Sequence, residues 1–142
     1  MRLVVDVAAR VLTAGIFISG GWDAFREPGG RAKAPGKIGL PESDLLVRAN
    51  GAGMVIAGSA MALGIKPRLA AVALAGMLVP TTLAAHRFWE LEEDQGRAMQ
   101  QTQFMKNAAA LGSLLQIATF RRGRRGNGGP ALPSPDHGED EE

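Results

Sequence analysis

"LAAVALAGMLVPTTLAA" occupies residues 69–85 and contains no charged side chain. As a helix, these seventeen residues span roughly 25 Å at about 1.5 Å each. A bilayer's hydrocarbon layer is about 30 Å thick, and membrane helices use about 17–25 residues. A helix on the outside of a water-soluble bundle needs a polar face opposite its core stripe. This run has no polar face at any angle, so a soluble bundle would leave it apolar on the solvent side.

Similar runs flank it on both sides. "VAARVLTAGIFISGGWDAF" (7–25) carries one charge near each end, and "LLVRANGAGMVIAGSAMALGI" (45–65) is uncharged after Arg48. "FMKNAAALGSLLQIATF" (104–120) is uncharged after Lys106. The expected fold is therefore all-α, a transmembrane up-down four-helix bundle over residues 1–120, followed by a tail over 121–142. Asp6 and Arg10 interrupt the apolar stretch that follows Arg2 and no small-residue cleavage site follows it, so it reads as a first span rather than a signal peptide.

The chain has 142 residues, which suits one domain, and a formal charge of +2. It has no cysteine, which excludes disulfides, thiolate catalysis, Cys-ligated zinc and iron–sulfur clusters. The mean hydropathy of +0.01 conceals segregation between the apolar runs and the polar segments 26–44 and 121–142.

The three residues "KPR" (66–68) join the second and third runs and force an antiparallel hairpin, with Pro67 biasing Lys66 away from helix. Four spans put both termini on one side. Arg2, Lys66, Arg68 and the cluster Arg121, Arg122, Arg124 and Arg125 lie there; Arg26, Arg31, Lys33, Lys37, Arg87 and Arg97 lie opposite. The two sides are nearly equal in number. The dense cluster beside the fourth run and the two basic residues of the short turn favour cytoplasmic termini in a bacterial cell membrane. The tail is basic, then rich in glycine and proline, then acidic, a composition expected to be disordered. Its "RRGRR" reads as an anchor to anionic headgroups, and no nucleic-acid partner is expected. His137 in that tail is assigned nothing.

Small residues indicate where helices approach. Gly51, Gly58 and Ala62 share one side of the second run, Gly53 and Ala57 lie four apart nearby, and Ala71 and Ala75 repeat that spacing in the third. Pro80 lacks a donor for the carbonyl of Gly76, so a kink is expected there, with Thr81 and Thr82 able to bond freed carbonyls.

Connectivity alone gathers polar groups at one membrane face. The end of the first run, the start of the second, the end of the third and the start of the fourth bring Trp22 and Asp23, Arg48 and Asn50, His86, Trp89 and Glu90, and Gln103, Lys106 and Asn107 to that level. The candidate site is accordingly His86, Lys106, Asn107, Asn50, Arg48, Asp23, Trp89 and Glu90. Each has a plainer role: Trp22, Phe88 and Trp89 as interfacial anchors, Lys106 as a snorkelling cation, the asparagines as interhelical bonds. His86 stands out because histidine is the side chain type suited to exchanging protons, here at membrane depth. Asp6 and Arg10, four apart with the acid first, suit an ion pair at the opposite end. One histidine among scattered carboxylates makes no metal site, and no hydrolase, P-loop or metalloprotease motif is present.

Taken together, these segments resemble the DoxX family of small bacterial membrane proteins, the actinobacterial members most closely. The resemblance runs over residues 6–120. It is carried by the arginine of the first run, Asn-Gly opening the second, "TLAAHRFW" closing the third and "FMKN" opening the fourth. It implies a four-helix integral membrane protein with family-like polar positions at Arg10, Asn50, His86, Trp89, Lys106 and Asn107. The family name derives from subunits of a thiosulfate:quinone oxidoreductase, and some relatives are associated with membrane oxidoreductase complexes.

Two functions are consistent with this. The first is an accessory or quinone-facing subunit of a membrane redox system, with His86 bonding a quinone oxygen and Lys106 or Arg48 stabilising negative charge. A quinone is then the one cofactor admitted, and a redox-enzyme subunit or a second copy of the chain joins the lipid bilayer as partner. The alternative is a non-enzymatic scaffold or small-solute carrier, although no inverted repeat of the kind built into transporters is evident.

Overall fold

The computed structural model describes residues 1–119; the expected tail domain lies outside the described residues. Four α-helices follow one another: α1 (Arg2–Arg26), α2 (Asp44–Ala62), α3 (Pro67–Ala85) and α4 (Asp94–Thr119). No strand occurs among the described residues. Packing is strongest between α1 and α2, then α3 and α4, then α2 and α3, while α1 barely meets α4. This is the expected up-down order with one thin edge. A single core joins all four helices through Ala14, Phe17, Met54, Met61, Leu74, Leu78, Ala110 and Leu114.

Helices α1, α2 and the segment Pro67–Glu90 are long and apolar enough to cross a membrane. The most buried of these windows, in α3, has only 33 % of its residues inside the protein. Val11, Leu12, Ile56, Leu69 and Val72 all lie exposed. Such a surface is costly in water and neutral in lipid, where the surroundings are as apolar as the side chains.

The fourth helix departs from expectation. It begins at Asp94, ten residues before the apolar run, so much of the charged stretch 87–103 is helix rather than loop. Good helix formers such as Arg97, Ala98, Met99 and Gln100 extend it, and at 26 residues it measures roughly 39 Å. It falls outside the helices apolar enough to cross a membrane. Part of the reason is that hydropathy counts Asn107 against it, although that side chain faces the core.

The α2–α3 turn is residues 63–66, beginning three residues before "KPR". Gly64, at φ 76, follows α2 in a left-handed conformation. The amides of Gly64 and Ile65 bond the carbonyls of Met61 and Ala60 at 3.1 and 2.8 Å. That is the glycine-terminated helix end, with two carbonyls satisfied by backbone. Lys66 leaves the helical region as expected, but into the left-handed one, at φ 42. Pro67 then opens α3, where its missing donor has no cost.

The loop between α1 and α2 is ordered. Two 3-10 turns, Gly29–Lys33 and Pro35–Ile38, fold against α2 and α3. The Ser43 amide closes the loop on the Ala32 carbonyl at 3.1 Å, and the Ser43 hydroxyl caps α2 at the amides of Leu45 and Leu46.

Candidate functional site

The side chains on α3 fix the site, because α3 lies between α2 and α4. Its Thr81 and Thr82 are adjacent and therefore point about 100° apart, one toward each neighbour. Asn50 of α2 donates to the Thr81 hydroxyl at 3.1 Å, and Thr81 donates to the Met77 carbonyl at 2.7 Å. Asn107 of α4 donates to the Thr82 hydroxyl at 3.0 Å, and Thr82 donates to the Leu78 carbonyl at 2.8 Å. Two matched amide–hydroxyl–carbonyl relays thus hold α3 between its neighbours. Thr82 and Asn107 are each 8 % exposed, and no buried side-chain polar atom among the described residues lacks a partner. The threonines bond the carbonyls of Met77 and Leu78 rather than that of Gly76, since a threonine hydroxyl reaches the carbonyl four residues back. Helix α3 runs continuously through Pro80.

One turn beyond Thr82, His86 terminates α3, its amide bonding the Thr82 carbonyl at 2.9 Å. Its ring is half-buried, with Nδ1 2.7 Å from Oε1 of Gln100 on α4. An amide oxygen only accepts, so in this arrangement Nδ1 carries the hydrogen and Nε2 is the basic nitrogen when the ring is neutral. Gln100 and Asn107 lie seven apart on one face of α4, so both rungs belong to the α3–α4 seam. Phe104 lies between them. It meets Phe88 and Trp89 edge-on, with centroids 5.5 and 6.0 Å away, and Phe88 and Trp89 are 5.2 Å apart.

Below this level the seam opens outward as a groove of about 160 Å³, lined by Leu78, Val79, Thr82, Leu83, Phe104, Asn107, Ala108 and Leu111.

The remaining candidates have separate placements. Arg48 donates to the carbonyls of Phe25 and Arg26 at 2.5 and 3.3 Å, closing the C-terminus of α1 where a cation suits the helix dipole. Asp23 is exposed and lines an open, charge-balanced depression of about 360 Å³ with Arg26, Glu27 and Arg31. Lys106 is exposed on the side of α4 turned away from the groove. Trp89 is 49 % exposed. Trp22 stacks near Phe25, and the Arg26 guanidinium lies 5.9 Å from its ring. Glu90 accepts from Arg87 at 2.8 Å in an ion pair. Gln103, half-buried, faces inward on α4.

The Asp6–Arg10 ion pair is therefore not formed. Arg10 Nε instead donates to the backbone carbonyl of Asp6 at 3.3 Å, and its guanidinium lies against Gly64. The side chain reaches toward the α2–α3 turn, and a carbonyl one helical turn back is nearer that path than the carboxylate.

Sequence reading missed Gln100 as a partner of His86, and it gave Arg87 no role beyond its charge. Besides Glu90, Arg87 donates to the carbonyls of Leu83 and Lys37, each at 2.7 Å, tying the first loop to the end of α3. The seven-residue spacing of Gln100 and Asn107 is the signal that could have found the former. No group of three or more potential metal-ligating side chains occurs among the described residues.

Apolar helices packed through buried amide–hydroxyl bonds, with aromatic side chains at one end, define a small helical membrane protein. The chain belongs to the DoxX family, whose sequence model matches residues 5–87. The match takes in α1 to α3 and ends at Arg87, before α4. No curated protein and no solved structure matches the chain.

Proposed function

We propose that this chain is an accessory, quinone-facing subunit of a membrane-associated oxidoreductase system in the bacterial cell membrane. In this reading α4 completes a fourth span, because its inward asparagine is satisfied by Thr82, and both termini are cytoplasmic. The observation that carries the proposal is the His86–Gln100 rung at the outer end of an α3–α4 seam that opens sideways. A quinone is lipid-soluble and approaches from the bilayer rather than from water. Gln100 orients the imidazole, and Nε2 is left to accept from a quinol hydroxyl or, when protonated, to donate to a quinone oxygen. The chain has no cysteine, so the electrons belong to a partner subunit or an organic cofactor held by it. Purification with native lipids, with and without His86→Ala, is expected to recover quinone from the wild type alone, together with a redox partner on affinity capture. Neither quinone nor partner in the wild-type sample overturns the reading.

A second reading has its own observation. Asn50, Asn107, Thr81 and Thr82 are all engaged between helices, as expected for a scaffold whose polar groups serve assembly. Loss of membrane accumulation in His86→Ala, with no separable loss of quinone or partner, favours it.

A further inference from the structure

The groove below His86 is built for a different part of a ligand than His86 is. Six of its lining side chains are hydrocarbon: Leu78, Val79, Leu83, Phe104, Ala108 and Leu111. Of the other two, Asn107 donates one N–H to the Thr82 hydroxyl, which donates in turn to the Leu78 carbonyl. A quinone ring placed there would find at most one N–H, the second hydrogen of Asn107 Nδ2, for its two oxygens, leaving at least one stripped of its hydrogen bond. A volume of about 160 Å³ is close to the ~150 Å³ apolar void that holds one benzene-sized molecule, enough for a short length of hydrocarbon.

His86 lies four residues beyond Thr82 on α3, about 6 Å further along the axis. There the surroundings change to an imidazole, an amide and three aromatic rings. At this mouth Arg87 is paired with Glu90 and bonded to two carbonyls, while Lys106 is turned away. A neutral head matches the imidazole and amide of this mouth, where Arg87 is already committed to Glu90 and two carbonyls.

Resting on the quinone-facing reading, we propose that the α3–α4 groove binds the isoprenoid chain of a lipoquinone, with the quinone ring held beyond it at His86, beside Phe88, Trp89 and Phe104. The groove sets the direction of the ligand and selects prenylated over unprenylated quinones.

The test uses the full chain in phosphatidylcholine nanodiscs, in a Trp22→Phe background that leaves Trp89 as the sole tryptophan. Quenching of Trp89 is titrated with 2,3-dimethyl-1,4-naphthoquinone and with the same ring bearing a two-isoprene chain, on a mole-fraction scale in the bilayer. Ala108→Phe fills the groove from α4, and Val79→Phe fills it from α3 should the first variant fail to fold. Groove filling is expected to weaken the prenylated probe about tenfold, equivalent to about 1.4 kcal/mol, and to leave the ring-only probe unchanged. His86→Gln is expected to weaken both probes, and Ala109→Phe, on the outer side of α4, neither. Saturable ring binding that groove filling leaves equally strong for both probes overturns the chain site while the quinone reading stands. Absence of saturable binding by either probe overturns both. Displacement of the prenylated probe by equimolar phosphatidylglycerol also overturns the proposal.

Discussion

The two strongest helix contacts in this protein are made in opposite ways. Between α1 and α2 the backbones themselves touch. A Cβ added to Gly51 would lie 2.5 Å from the Gly21 carbonyl oxygen and 2.8 Å from the Phe25 nitrogen, and one added to Gly58 would lie 3.0 Å from Ile18. Gly51 and Gly58 are seven apart, so the contact repeats after two turns. Between α3 and α4 the helices meet through side chains: two polar rungs, an aromatic cluster and an open groove. Lipid gives no hydrophobic drive to either contact, so each depends on fit or on hydrogen bonds. A backbone-on-backbone contact leaves no room for a ligand. A contact bridged by side chains leaves gaps between its rungs, and the candidate site lies there.

Gly51→Leu should break this contrast most severely. The atoms in its way are backbone, which cannot rotate aside as a side chain can, so the loss should be about 3 kcal/mol or more, the upper end for overpacking. Thermal unfolding in detergent checks it, with Gly51→Ala intermediate. Next, a double-mutant cycle between Asn107→Ala and Thr82→Ala should give a coupling of about 0.6–1.7 kcal/mol, the scale of interhelical bonds in membranes. The Asn50–Thr81 cycle should give less, because that pair is only partly buried. Arg87→Gln should cost about 1 kcal/mol or less, since its ion pair is exposed, yet raise hydrogen exchange across residues 34–40 by releasing the Lys37 carbonyl. Gly112→Ala should be smallest, within about 0.5 kcal/mol or slightly stabilising, because nothing lies within 4 Å of the added Cβ and alanine favours helix. A large loss from Gly112→Ala would show that α4 is packed as tightly as α1.

Part of the site was legible because connectivity fixes depth. His86, Asn50 and Asn107 were placed at one level by helix order alone, and all three make interhelical bonds there. Asp23 and Lys106 share that level but face outward, because depth says nothing about rotation around the helix axis. Their neighbours Gly21 and Asn107 are buried instead. Gln100 escaped notice because the apolar run starts at 104, whereas helix α4 starts ten residues earlier.

By itself the sequence determined the helical class, the membrane environment, the order of the helices and Gly51 and Gly58 as points of close helix approach. Those follow from composition, run length and local spacing, which need no knowledge of partners. Only the tertiary structure decided which threonine each asparagine meets, that Arg10 bonds a carbonyl rather than a carboxylate, and that the α3–α4 seam opens into a groove. Such pairings depend on the rotation and stagger of one helix against another. A shift of one residue turns a helix face by about 100° and exchanges every partner along the seam.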